Sequence, residues 1–157
     1  VGPAGNGPAA GTAAPAGSVV GTWVNTADGL WAFTAGGRTY HNEWAYVHNP
    51  YAGEEQSGTD WFRFDETGHM VTGWYADTDG NTYYLWPFPD GTQGRMVTGW
   101  QWIAGSDGKE RSFYFNSISD GARGAMYRSG TTPDGKSVNE KGEWTVNGTV
   151  QIRENNR

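Results

Sequence analysis

The chain has 157 residues and a formal net charge of −6, with no cysteine, nine Trp, eight Tyr, six Phe and 25 Gly. Disulfides, thiolate nucleophiles and Cys-ligated metal centres are excluded. No stretch approaches the ~18 apolar residues of a membrane-spanning helix, and the acidic balance disfavours nucleic acid and anionic membrane as partners.

Residues 1–18 hold five Gly, six Ala and three Pro, with no charge and no aromatic ring. Such a segment cannot bury enough surface to offset the entropy of ordering it, and it is expected to be a flexible linker to an upstream domain. Residues 19–130 repeat themselves. Glu43-Trp44, Gly73-Trp74 and Gly99-Trp100 align, and so do Gly68-His69-Met70, Gly94-Arg95-Met96 and Gly124-Ala125-Met126. The Trp spacings are 30 and 26 and the Met spacings 26 and 30, so two independent markers agree. Between the markers lie aromatic runs of period two: Leu30-Trp31-Ala32-Phe33, Trp61-Phe62-Arg63-Phe64, Thr82-Tyr83-Tyr84-Leu85 and Ser112-Phe113-Tyr114-Phe115. Gly, Asp and Asn cluster between the runs, as in Asp77-Thr78-Asp79-Gly80-Asn81, which are hairpin signals.

With only two Leu and three Ile, such hairpins must bury aromatic rings, each worth about 150–250 Å² of surface. An isolated hairpin is marginal in water, so the sequence predicts an all-β solenoid of stacked β-hairpin repeats. Residues 131–157 break the pattern and carry more charge, as expected of a C-terminal capping hairpin and tail.

The run Met70-Val71-Thr72-Gly73-Trp74-Tyr75, then Thr82-Tyr83-Tyr84-Leu85, then Gly94-Arg95-Met96-Val97-Thr98-Gly99-Trp100 resembles the cell-wall-binding, or choline-binding, repeats of Gram-positive surface proteins. Their shared pattern is Gly-Trp, a short turn, Trp-Tyr-Tyr-Leu/Phe-Asn and then Gly-x-Met-x-Thr. The resemblance covers roughly Gly21 to Val146. It implies a solenoid of hairpins with ligand sites between consecutive hairpins, in a non-catalytic module of a secreted or cell-surface protein. The implied partner is choline, teichoic acid or another cell-wall glycan. Two alternatives stand beside it: a carbohydrate-binding module of the kind found in clostridial toxins, and a structural spacer with degenerate sites.

The resemblance carries a cage of aromatic rings onto the ligand-binding candidates Trp44, Trp61, Tyr83, Tyr84, Met70, Trp74, Trp100 and Tyr114. Trp44 and Trp61 supply both indoles of one cage, with Tyr83 or Tyr84 as third wall and Met70 nearby. Trp74 has Thr82 where a second indole is expected, and Trp100 has Ser112. In the first unit Trp23 and Trp31 align ambiguously, because Leu30 competes for the cage position. Trp86 and Trp102 are additional indoles. The chemistry agrees: a quaternary ammonium offers no hydrogen to donate and is recognised by the faces of electron-rich rings.

No metal or cofactor is expected. The three His show no ligand spacing, and Asp77-Thr78-Asp79-Gly80 opens like a calcium loop but lacks the closing Glu. Glycoside hydrolysis would need paired carboxylates, and the candidates Asp60, Asp65, Glu66 and Asp77 all fall in or beside predicted turns. No nucleophile–base pair or phosphate loop appears.

Overall fold

The architecture follows from one turn used repeatedly. In the computed structural model, which describes residues 18–53, 55–56 and 58–154, every element is a β-strand. The linker expected over 1–18 lies, apart from Ser18, outside the described residues. Strands β1 (Thr22–Asn25) and β2 (Trp31–Ala35) form the first hairpin, extended by β3 (Arg38–Thr39). Strands β4 (Glu43–His48) and β5 (Thr59–Phe64) form the second, β6 (Gly73–Ala76) and β7 (Thr82–Leu85) the third, and β8 (Gly99–Ala104) and β9 (Lys109–Phe115) the fourth.

Three of these hairpins close in the same way. Thr26 N–H donates to Leu30 O, Asp77 N–H to Asn81 O and Gly105 N–H to Lys109 O, all within 2.7–3.0 Å. The fourth turn residue is in each case a glycine at positive φ, among them Gly80 at 85°, a conformation that costs any L-residue with a Cβ. The second hairpin instead turns through a longer excursion between Asn49 and Gly58.

Register is identical in all four. Trp23 pairs with Phe33, Trp44 with Arg63, Trp74 with Tyr84 and Trp100 with Tyr114. Two residues further on, Asn25 faces Trp31, Tyr46 faces Trp61, Ala76 faces Thr82 and Trp102 faces Ser112. A period of two fixes which face each ring occupies. The Trp31, Trp61, Thr82 and Ser112 positions are therefore equivalent, as the alignment of the aromatic runs requires.

Successive units are tied by the Met segments. Met70 N–H donates to Trp31 O, Met96 N–H to Trp61 O and Met126 N–H to Thr82 O, each at 2.8 Å. Each Met thus reaches back to the hairpin before its own. A column of Gly and Met runs alongside: a Cβ on Gly94 would lie 2.3 Å from Met70 Sδ, and one on Gly124 2.4 Å from Met96 Sδ. Glycine is needed there both for close approach and for φ of 91° and 89°.

The buried side chains form three clusters along the stack rather than one centre. Phe33, Val47, Phe62 and Phe64 pack with Met70, then Tyr83 and Leu85 with Met96, then Tyr84, Val97 and Ile103 with Phe113 and Phe115. Beyond Met126, β10 (Gly130–Thr131), β11 (Ser137–Val138), β12 (Trp144–Val146) and β13 (Thr149–Val150) make a short antiparallel meander. Strand β14 (Ile152–Glu154) then returns to pair with β9, where Arg153 Nη2 meets Glu110 Oε1 at 2.8 Å. An otherwise open sheet edge is covered by the chain's own end segment.

Candidate functional site

The equivalent positions define an interval between each hairpin and the next: two ring positions from one hairpin, a third from its successor, and a Met. In the first interval, Trp23 from β1 and Trp31 from β2 face Phe62 of β5 and Met70. Trp23 and Phe62 stand 5.0 Å apart, edge to face at 64°. The excursion of the second hairpin adds Tyr51, whose ring lies 5.4 Å from Trp31. Together with Asn49, Pro89, Gly91 and Gln93 these residues line a cavity of about 220 Å³. Four rings and a thioether converge on it, and no lining residue carries a formal charge.

The walls are held from outside. Trp23 Nε1–H donates to His48 O at 3.2 Å, which fixes the indole plane. Asn49 Nδ2 donates to Gly91 O at 2.7 Å and Asn49 Oδ1 accepts from Tyr51 N–H at 3.0 Å, while Gln56 Nε2 reaches Asp90 O at 3.1 Å. The excursion is thus clamped to the connection that follows the third hairpin. Gly91 is required at that clamp, since a Cβ there would sit 2.5 Å from Tyr51 O. The pocket is assembled from three consecutive units.

In the second interval, Trp44 and Trp61 of the second hairpin meet Tyr83 and Met96. Trp44 and Tyr83 are 4.9 Å apart at 62°. The sequence expectation placed Met70 here and left Tyr83 and Tyr84 as alternatives. Met70 instead belongs to the first interval, because each Met reaches back one hairpin. Tyr84 points to the other face of β7 and packs 5.1 Å from Trp74. Tyr83 is fully buried, and Ala122 and Ala125 pack on the same cluster.

Trp44 Nε1–H donates to Asp77 Oδ2 at 2.9 Å, and Tyr83 Oη–H donates to Asp79 Oδ2 at 2.6 Å. Burial works to raise the Asp77 carboxyl, but hydrogen bonds from Trp44 and the Thr78 amide hold it below its ordinary value. Burial, with Asp79 alongside, pushes the Tyr83 phenol up. Trp61 lies 5.4 Å from Tyr46, its buried Nε1–H without a hydrogen-bond acceptor among the described residues.

The third interval has Trp74, Phe113 and Met126, with Thr82 at the second indole position. A cavity of about 370 Å³ beside Trp74 and Phe113 is lined as well by Ile103, Ala104, Asp107, Arg111, Lys141 and Glu143, and neither Thr82 nor Met126 belongs to its lining. At the end of the stack Trp100 packs 5.2 Å from Tyr114 and 6.2 Å from Trp144, and its Nε1–H donates to Asp134 Oδ2 at 2.9 Å. Trp102 faces Trp144 at 6.1 Å with the Arg153 guanidinium 4.5 Å over its ring. Trp86 packs against the Tyr84, Val97 and Phe115 cluster, with Arg95 over its ring and its indole N–H bonded to Asp90.

Of the eight residues singled out in the sequence, Met70 lines the four-ring pocket, Trp44, Trp61 and Tyr83 meet one interval later, and Trp74 lines the third cavity. Trp23, Trp31, Phe62 and Tyr51 make the first pocket. The Trp23–Trp31 separation of eight, equal to that of Trp74 and Thr82, is the signal that resolves the first unit's alignment. Tyr51 sits in an excursion with no counterpart in the other units and carries no such signal.

No family model matches the chain, and no curated protein matches it. Among solved structures, it is similar to the wild-type modular Cpl-1 endolysin complexed with a peptidoglycan analogue, at 26% identity over 73% of this chain and 27% of that one, with a TM-score of 0.46. It is also similar to CbpF in complex with ipratropium, at 29% identity over 79% of this chain and 38% of that one, with a TM-score of 0.43. A third is CbpJ from Streptococcus pneumoniae TIGR4, at 26% identity over 78% and 40%, with a TM-score of 0.41. The chain spans between 27% and 40% of the length of these three structures.

Proposed function

We propose that the chain is a non-catalytic binding module that takes a choline-type quaternary ammonium into the first-interval pocket. Through that group it would attach a secreted or surface protein to a choline-bearing polymer of the cell wall. The observation that carries this reading is the convergence of Trp23, Trp31, Tyr51, Phe62 and Met70 on one cavity of about 220 Å³.

A trimethylammonium has nothing to donate and spreads its charge over methyl groups, so ring faces hold it better than hydrogen-bond acceptors do. The lining contains no Lys or Arg to oppose a cation, and a net charge of −6 attracts one over longer distances. The Gly-Trp and Gly-x-Met-x-Thr pattern of the sequence points the same way. We assign the second interval to packing, since Tyr83 is fully buried there.

Titration of intrinsic Trp fluorescence with choline chloride, against sodium chloride at equal ionic strength, tests the reading. Wild-type protein should give a saturable change, and Trp31→Ala should weaken it about tenfold or more, as loss of a ring at a binding centre does. A flat wild-type response, or equal affinity in Trp31→Ala, would overturn it.

A further inference from the structure

We propose that Met70 is an oxidation site through which peroxide switches the first pocket off: its thioether is converted to the sulfoxide, and the modified pocket releases its ligand. The release rests on the quaternary-ammonium reading of that pocket; the modification does not.

The three methionines occupy equivalent places, each filling the space that a Cβ would need on a glycine of the next unit, Gly94, Gly124 or Gly142. Their surroundings differ. Met96 is enclosed with Tyr83, Leu85 and Ala125 in the filled second interval, and Met126 packs, partly buried, on the cluster of Val97 and Phe115. Exposure at the molecular surface hardly separates Met70 from Met96, at 9% and 6%. The cavity does. Met70 lines the pocket of about 220 Å³, and Tyr51 of the same lining is 56% exposed, so that space communicates with solvent. A molecule little larger than water reaches the thioether from inside the pocket. Gly94 behind the side chain and the 2.8 Å bond from Met70 N–H to Trp31 O keep it at the wall.

The step needs hydrogen peroxide and nothing further from the protein. A sulfur lone pair attacks one peroxide oxygen, the O–O bond breaks, and proton transfer between the two oxygens leaves the sulfoxide and water. Sulfur gives up two electrons and the peroxide takes them.

The product changes the character of the pocket. A thioether packs well against aromatic rings, whereas a sulfoxide oxygen is an acceptor that must find a donor or remain hydrated. The amides in the lining, Asn49 and Gln93, already donate to Gly91 O at 2.7 Å and Pro87 O at 3.0 Å. The oxygen therefore either retains water in the cavity or draws Asn49 from the clamp that positions Tyr51. Both remove space and ring contact that a trimethylammonium requires.

The test treats the full chain with hydrogen peroxide in choline chloride or in sodium chloride at equal ionic strength. Trypsin then cuts after Arg63, Arg95, Lys109, Arg123 and Arg128, which puts Met70, Met96 and Met126 on three different peptides. Mass spectrometry reads each sulfoxide separately. Met70 should gain oxygen several-fold faster than Met96, and choline should slow Met70 several-fold while leaving Met126 unchanged. Once Met70 is oxidised, choline affinity by Trp fluorescence should fall about tenfold or more, the effect of one new acceptor left unpaired in an apolar site. Met70→Leu, whatever its own affinity, should give the same value before and after peroxide. Met96→Leu combined with Met126→Leu, swaps that cores tolerate, leaves Met70 as the single methionine and should lose affinity as the wild type does. Equal oxidation rates at Met70 and Met96 overturn the proposal, and so does undiminished affinity in the oxidised double variant. A flat choline response before any peroxide is added overturns the ligand reading and the release with it, and the rates at Met70 and Met96 then decide the modification alone.

Discussion

Replacing Gly94 by alanine would put a methyl group where Met70 already sits. The added Cβ would lie 2.3 Å from Met70 Sδ, 2.7 Å from Cγ and 2.9 Å from Cε, at a backbone φ of 91°. The left-handed backbone costs about 1–2 kcal/mol for a residue with a Cβ, and the overpacking about 1–3 kcal/mol. Reduced freedom of the unfolded chain returns about 0.4–1 kcal/mol, so the net loss is about 1–5 kcal/mol. Gly80→Ala is the control: its φ is 85° and nothing lies within 4 Å of the added methyl, so it bears the backbone cost alone. Urea unfolding followed by Trp fluorescence should show both midpoints lowered at constant slope, with Gly94→Ala lower by a further ~1–3 kcal/mol. Equal losses in the two variants would refute the argument that the Gly–Met column couples adjacent units.

Two further perturbations follow from the site geometry. Asp60 Oδ2 is buried with no hydrogen-bond partner among the described residues, and burial pushes its carboxyl from the ordinary 3.8 up to about 7 against the pull of Arg95 and Arg123. An acid whose folded value is raised leaves stability untouched below the unfolded value and lowers it as pH climbs to the folded one. Asp60→Asn should therefore be near neutral at pH 4 and stabilise the fold by up to about 4 kcal/mol at pH 8, read from urea midpoints at the two pH values. Thr82→Trp restores the missing ring opposite the small Ala76. It should raise the number of choline bound per chain from one to two in calorimetry, and an unchanged stoichiometry would count against the equivalence of Trp31, Trp61 and Thr82.

The hairpins and their turns were legible because their determinants are local. Asp77 to Asn81 closes its turn within five residues, and the period-two runs set the face of Tyr83 against that of Tyr84. The repeated Gly-x-Met marked the unit boundaries for the same reason. The partnership of each Met was not legible, since Met70 bonds to Trp31 across 39 residues and Met96 to Trp61 across 35. No periodicity along the chain states which neighbour a unit will lean on. Tyr51 was hidden for a different reason: its excursion belongs to one unit only, and what places it is a clamp to Gly91, 40 residues away.

Because one pocket draws walls from three consecutive units, its inheritance is not that of any single repeat. Trp23 and Trp31 arise in the first hairpin, Phe62 and Tyr51 in the second, and Gly91 and Gln93 after the third. A gene segment that duplicates one hairpin copies parts of more than one interval and the whole of none. A newly inserted unit must therefore fit the interval before it and the interval after it at once. Substitutions at Gly91 would be selected for their effect on rings encoded about 60 codons earlier. Divergence among the intervals, one four-ringed, one filled and one charged, is the pattern expected when such shared walls drift out of step.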